Sequence, residues 1–340
     1  MLQARAFWRV PGPRGELRQQ ALAAPQADEV LVETRFSAVS RGTESQVFHG
    51  RIPSSEFQRM RAPFQQGEFN AELKYGYANV GRVQQGPPDL QGRDVFCLFP
   101  HQDRYVVPAS AVVPLPDGLP ARRGVLGANM ETAVNALWDA APMVGDRIAI
   151  IGAGVVGSLV AALAAGIPGA EVSLIDTNPQ RAALARALGV TFCEPAAAPT
   201  ECDLVFHVSG SAEGLQQALA LAGNEARVVE LSWYGTQEVS VPLGQAFHSR
   251  RLALQASQVG HLRGDRAVRW GGGRRMALAL RLLCDPRYEA LLEPDCPFED
   301  LPSRMPDITS PGGDTLCQVV RYGPGAEGEV PHQRSNRCSA

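Results

Sequence analysis

"RIAIIGAGVVGSLVAALAAG", Arg147 to Gly166, decides the fold. Its first part is a short apolar run rich in β-branched residues, suited to a strand buried on both faces. Its second part is an Ala/Leu-rich run suited to a buried helix. At the join, Gly152, Gly154 and Gly157 give G-x-G-x-x-G, with Val155 and Val156 inside the pattern. Such glycines allow a tight turn, close approach of backbone to a pyrophosphate, and close packing of helix on strand. The helix N-terminus then turns unpaired N–H groups toward the phosphates. By length alone the uncharged stretch 148–167 could span a bilayer, but its glycines argue for strand, turn and helix.

A second apolar strand, "EVSLID", ends in Asp176, nineteen residues after Gly157. A carboxylate there accepts hydrogen bonds from ribose hydroxyls and repels a 2′-phosphate, so NAD is favoured over NADP. Arg181, in the following helical run "NPQRAALARALG", is the counter-argument, since it could swing toward a phosphate or lie beside the adenine. The alternation continues with "DLVFHVSG" as a strand, "AEGLQQALALAG" as a helix, and "ARVVELSWYG" and "LALQASQVG" as strands. This is the pattern of a doubly wound parallel sheet. Ser209, Gly210 and the loop Ser232 to Tyr234 fall at strand C-terminal ends, where such sheets bind ligands, and Ser209 is assigned to the cofactor. His207, within its strand, reads as a packed core histidine.

The whole chain sets the limits. Its 340 residues allow two domains of ordinary size. A formal net charge of -3, without long blocks of one sign, suggests neither a nucleic-acid nor a membrane partner and suits a small neutral or anionic substrate. The seven cysteines are scattered, with no Cys-x-x-Cys pair, and read as free thiols in a reducing cytoplasm. The N-terminus, "MLQARAFWRVPGPRG", lacks the apolar core of a secretory signal, so a cytoplasmic protein is expected.

Before residue 123 the chain is rich in proline, glycine and short β-like runs: "ARAFWRV", "EVLVETRFSAVS", "NVGRVQQG", "RDVFCLFP", "QDRYVVPASAVVPLPDGL". These read as an all-β unit. With "FSAVSRGTE", "GYANVGRV", "GRDVF", "VVPASAVVPLPDGL", "GAGVVG" plus Asp176, and the closing "GDTLCQVVRY", nearly the whole chain resembles the medium-chain dehydrogenase/reductase superfamily. The "SRGTE" stretch looks closest to a subgroup of zinc-binding dehydrogenases that contains the bacteriochlorophyllide a dehydrogenases. The resemblance implies an α/β protein: a GroES-like β-rich catalytic domain at 1–122 plus 264–340, and a Rossmann NAD-binding domain at 123–263. It also implies a cleft between them, hydride transfer between nicotinamide and an alcohol or carbonyl carbon, and a homodimer. In that dimer the strand after Arg250 and Arg251 often pairs with its mate, which would place these arginines at an interface.

In zinc members of the family the metal polarises the substrate oxygen. Here Ser40 stands at the matching place of the first cysteine ligand, and Tyr77 and Ala78 replace the His-Glu of the Gly-His-Glu motif. Glu131 lines up with the last ligand, a glutamate in the sorbitol dehydrogenase type, so one ligand survives and no zinc is expected. The four-cysteine structural lobe is absent too. A rebuilt site would have to draw on Glu44, His49, Cys97, His101 and Glu131, which lack close spacing.

Without metal, the substrate oxygen must be stabilised by donors aimed at it. Tyr77 is the first candidate, as donor or, with a lowered pKa, as base, against a reading as a space-filler. Ser40 and Thr43 could form a hydroxyl relay beside it or hydrogen-bond within a Gly-containing turn. Glu44 and Glu131, if buried together, would raise one another's pKa and one could donate a proton, while Glu44 could instead bind backbone N–H groups or Arg41. Arg41 is placed at the cofactor pyrophosphate. His101, in the loop "FPHQDRY", reads as a surface histidine, with a proton shuttle second. Trp233, Tyr234, Phe48 and Phe64 could line a pocket, although aromatics in these places are more often core. "GPGAEGEVPHQRSNRCSA", from Gly323, reads as a polar, mobile tail. Three functions compete: a zinc-independent NAD(H)-dependent dehydrogenase or ketone reductase; an NAD(P)H-dependent C=C reductase of the quinone or enoyl type; and a catalytically silent NAD(H)-binding protein.

Overall fold

The structure is a computed structural model and describes residues 2–323. The polar tail lies, from 324 onward, outside the described residues. A six-stranded parallel sheet carries the glycine motif: Thr191–Cys193, Glu171–Ile175, Arg147–Ile151, Cys202–His207, Ala222–Glu230 and Ala253–Ala256, in that spatial order. Numbered along the chain this order is 3-2-1-4-5-6, the doubly wound order, so its switch point lies between Arg147–Ile151 and Cys202–His207. Both faces are covered. Ile148 and Ile150 pack with the helices Gly127–Ala140 and Val155–Ala164, whereas Ala149 and Ile151 pack on the other face with Leu215 and Ala218 of helix Ala212–Leu221. The period of two explains why the strand reads as a continuous apolar run.

The stretch that could have spanned a membrane is thus one strand and a ten-residue helix. Among the described residues no helix is long and apolar enough to cross a membrane.

The remaining chain is β-rich. Glu29–Val39 is its backbone strand, paired antiparallel with Asn79–Gln85, with Arg104–Pro108 and, at the chain's return, with Gln318–Arg321. Leu2–Val10 and Arg14–Leu22 form a hairpin in a separate four-stranded sheet. Near the chain's return, helix Gly272–Leu282 packs Met276, Ala279 and Leu280 into the core around Gly127–Ala140. The architecture is therefore the α/β one expected, a GroES-like β-rich part with a Rossmann sheet.

The "SRGTE" stretch departs from its reading as a turn. Arg41–Phe48 is a helix with Ser40 at its N-cap, and the Glu44 carboxylate reaches back to accept the Ser40 N–H at 2.8 Å. An acid in the first turn satisfies an otherwise unpaired donor and suits the positive end of the helix.

Candidate functional site

A cleft of about 820 Å³ opens at the switch point of the parallel sheet. On the sheet side it is lined by Gly152, Gly154, Val155, Val156, Gly157, Asp176, Arg181 and Ser209, and on the β-rich side by Ser40, Arg41, Thr43 and Tyr77. Glu44 and Glu131, the two candidate acids, do not line it.

The glycine turn is built as a cradle. Gly152 has φ +109°, and a Cβ there would lie 2.7 Å from the Ser209 backbone nitrogen. A Cβ on Gly157 would lie 1.9 Å from the Gly152 carbonyl oxygen, so helix Val155–Ala164 can sit this close to its strand only through glycine. A Cβ on Gly154 would meet nothing within 4 Å, because that position faces the open cleft. Asp176 braces the turn: one carboxylate oxygen accepts the Ala153 N–H at 2.7 Å and the other the Asn178 N–H at 2.9 Å.

Two arginines converge here from opposite walls. Burial, and then the nearby Arg181 charge, push the Arg41 guanidinium down from its ordinary value, with Asp314 opposing. Arg41 donates to the Ser310 carbonyl at 3.2 Å rather than to Glu44, while its Nε is buried with no hydrogen-bond partner. Arg181 donates to the Asp314 carbonyl. Two cations held close, one with an unused donor, suit an anionic ligand such as a pyrophosphate. Glycine cradle, helix N-terminus and arginine pair all fit a dinucleotide.

Tyr77 sits half-buried at the inner end of the cleft. Burial pushes its phenol well above the ordinary tyrosine value, the Glu44 charge adds to the rise, and hydrogen bonds with Ser40 and Thr43 offset part of it. The lowered pKa a base would need is thus not provided. Burial thus keeps the Tyr77 phenol protonated. Ser40 also accepts from Asn129 Nδ2 at 3.2 Å, which ties the helix after the cap to helix Gly127–Ala140.

The two acids do not meet as a pair. Glu131 accepts from Arg275 Nε at 3.0 Å, and burial raises its pKa against the pull of that arginine. Glu44 bonds instead to His101, whose Nε2 lies 2.9 Å from its Oε2. His101 is 1% exposed rather than on the surface, because its loop folds back against Leu2–Val10 and Gly76, and its Nδ1 lies 2.7 Å from Ser37 Oγ. Ser37 in turn bonds Tyr322 OH at 2.9 Å. Among the described residues no group of three His, Cys, Asp or Glu side chains could hold a metal ion, and the donor set does not fit a catalytic zinc.

His207 is buried as expected, yet it is not an isolated core histidine. Its Nδ1 lies 2.7 Å from Glu230 Oε2 and its Nε2 2.7 Å from Ser209 Oγ, at the rim of the cleft. The signal was present in the sequence: His207 and Ser209 are two apart at a strand end, and Glu230 is the parallel-strand partner of His207. Of the aromatics, Trp233 lines the cleft, Tyr234 donates to Glu230, Phe48 is core, and Phe64 packs on Phe99 with 38% exposure. Arg250 and Arg251 form ion pairs within the chain, with Glu201 and Glu225.

No family model matches the chain. Solved structures do match it along nearly its full length. L-Idonate 5-dehydrogenase from Escherichia coli superposes with a TM-score of 0.76 at 14% identity, over 94% of this chain and 99% of that one. A short chain alcohol dehydrogenase from Escherichia coli CFT073, complexed with NADH, gives 0.74 at 14% identity over 94% and 99%. A putative zinc-binding dehydrogenase from Sinorhizobium meliloti, bound to NADP, gives 0.74 at 16% identity over 94% and 100%.

The chain shares their fold.

Its cleft occupies the switch-point position at which such sheets take ligands, and it departs from a zinc site where Ser40, Tyr77 and Ala78 stand.

Proposed function

We propose that this protein is an NAD(H)-dependent oxidoreductase that moves hydride between the nicotinamide and an alcohol or carbonyl carbon of a small substrate, without zinc. The observation that carries the proposal is the single cleft in which the glycine cradle, the Arg41–Arg181 pair and the protonated Tyr77 meet. Solved relatives in fold hold NADH or NADP, which supports a nicotinamide cofactor. Asp176 favours NAD, because a 2′-phosphate would meet its charge. We take the β-rich domain as 1–122 plus 264–340 and the cofactor domain as 123–263.

The cofactor supplies the hydride acceptor or donor. The chain's own part follows from its side chains. Gly152 to Gly157 and the two arginines hold the phosphates, and Tyr77 donates to the substrate oxygen, with Ser40 and Thr43 orienting its hydroxyl. Trp233 and Leu316 add apolar surface to the cleft wall. Among the described residues the edge strand Ala253–Ala256 has no partner on its outer side, and Leu254 is 39% exposed, which supports a homodimer formed by sheet extension.

The test is a titration with NADH followed by a screen of secondary alcohols and ketones monitored by nicotinamide absorbance. Tyr77→Phe should leave NADH affinity unchanged and lower kcat by roughly 100-fold. NADH binding with no turnover on any carbonyl, alcohol, quinone or enone would instead identify a silent binder. Turnover confined to enones or quinones would identify a C=C reductase.

A further inference from the structure

Glu230, His207 and Ser209 form a line of hydrogen bonds that starts inside the parallel sheet and ends at the cleft. Glu230 Oε1 accepts the Ser232 N–H at 2.7 Å, while Oε2 faces His207 Nδ1 at 2.7 Å and accepts from Tyr234 OH at 3.1 Å. A carboxylate so provided with donors calls for a proton on Nδ1, which leaves Nε2 facing the serine as acceptor. The Ser209 hydroxyl, 2.7 Å away, then donates to Nε2, and its oxygen also lies 3.2 Å from Ser211 Oγ. His207 is wholly buried, whereas Ser209 is exposed in the cleft wall.

The surroundings are shaped for this line. A Cβ on Gly214 would lie 2.4 Å from Ser209 Oγ and 2.7 Å from His207 Nε2, so helix Ala212–Leu221 approaches the pair only through glycine. Ser211, the N-cap of that ten-residue helix, accepts the Gly214 N–H on its hydroxyl and donates its own N–H to Ser209 Oγ at 3.3 Å. Hydroxyl, imidazole and carboxylate in this order, with the base oriented by a third group, are what lets a serine give up its proton.

We propose that Ser209, His207 and Glu230 are a proton relay opening into the nucleotide cleft. When a hydroxyl bound in the cleft gives up its proton, that proton bonds to Ser209 Oγ. The Ser209 O–H bond breaks in the same step, its proton bonds to His207 Nε2, and the resulting imidazolium is held by Glu230. The reverse sequence delivers a proton. Ser209 is the contact residue, while His207 and Glu230 act through it. The inference rests on the dehydrogenase reading for its purpose, since each hydride removed from an alcohol releases one proton, but not for its chemistry.

That chemistry can be tested without a substrate. A small alkyl fluorophosphonate, incubated with the protein free of cofactor, should label Ser209: the Oγ–P bond forms as P–F breaks, fluoride leaves, and the hydroxyl proton passes to His207. Peptide mass spectrometry locates the adduct. The relay predicts an adduct on Ser209 that NADH suppresses, that Ser209→Ala abolishes, and that His207→Gln slows about 100-fold. Because His207 is buried and its variant could unfold, Glu230→Gln, which keeps the shape, provides the second reading, with slowing of about tenfold or more. Labelling of Ser209 at an unchanged rate in both variants, or no labelling of the folded wild type, overturns the relay. NADH titration of the same samples keeps the two proposals apart. Labelling without NADH binding sustains the relay and removes the dehydrogenase reading, and NADH binding without labelling does the reverse.

Discussion

Among the described residues, two buried histidines are built alike and finished differently. His207 and His101 each bond a carboxylate through one ring nitrogen and a serine hydroxyl through the other. The His207 line ends on Ser209, in the wall of the cleft. The His101 line runs from Glu44 through Ser37 to Tyr322, and its members stay within the packing of the β-rich part. Equal hydrogen bonding thus leads to unequal prospects. A histidine–carboxylate pair is available for chemistry only when its last hydroxyl faces a ligand. When the hydroxyl faces more protein, the pair ties elements together, here helix Arg41–Phe48 to the strand bearing Ser37 and the loop bearing His101.

The largest effect should come from breaking the closed line. Glu44→Leu leaves His101 Nε2 and the Ser40 N–H without their partner and should cost about 3 kcal/mol in urea unfolding. Ser209 labelling of the folded variant should proceed at the wild-type rate. A large loss of labelling would mean that the two lines are coupled.

Next comes a buried ion with no carboxylate beside it. Lys74 is 1% exposed, donates to Gln102 Oε1 at 2.7 Å, and burial pushes its pKa down from 10.5 to about 8. Between those two values the unfolded chain binds more protons, so this group makes stability rise with pH across that window. Lys74→Met should therefore be more stable than wild type by about 2 kcal/mol at pH 7, an advantage that fades as pH rises. Gln102 Oε1 keeps a partner in Gln20. Unfolding midpoints measured across this range check the sign, and equal stability at every pH would show that the ammonium carries no penalty.

On the cleft side, effects should appear in binding rather than in stability. Asp176→Ser removes the charge that opposes a 2′-phosphate and should shift the NADH over NADPH preference by about tenfold toward NADPH, or 1.4 kcal/mol, as read by fluorescence titration. Ser209→Ala should weaken NADH binding by about threefold, with an unfolding midpoint that stays put. A stability loss as large as that of Glu44→Leu would erase the distinction between the two lines.

The sequence carried the sheet clearly because its signals are local: a β-branched run, three glycines and an acid at a fixed spacing. Strand order, cradle and the placement of Asp176, Arg181 and Arg41 on one cleft follow from contiguous stretches. The polar contacts did not come through, since they join distant segments. Glu131 is matched by Arg275, 144 residues away, and His101 is covered by Ser37 and Glu44, 64 and 57 residues away. The direction of the Tyr77 shift depends on its burial and on the Glu44 charge, which no spacing reveals. The role of His207 was within reach, had its register against Glu230 been weighed with Ser209 two positions on.

The central claim is a dinucleotide-binding cleft whose substrate oxygen is met by Tyr77 in place of zinc. The most direct measurement is the zinc content of protein purified without chelator or metal-affinity carryover, taken alongside its NADH stoichiometry. The account predicts one NADH and far less than one zinc per chain. One tightly held zinc per chain, at a site that Tyr77→Phe or Glu44→Leu empties, would contradict it.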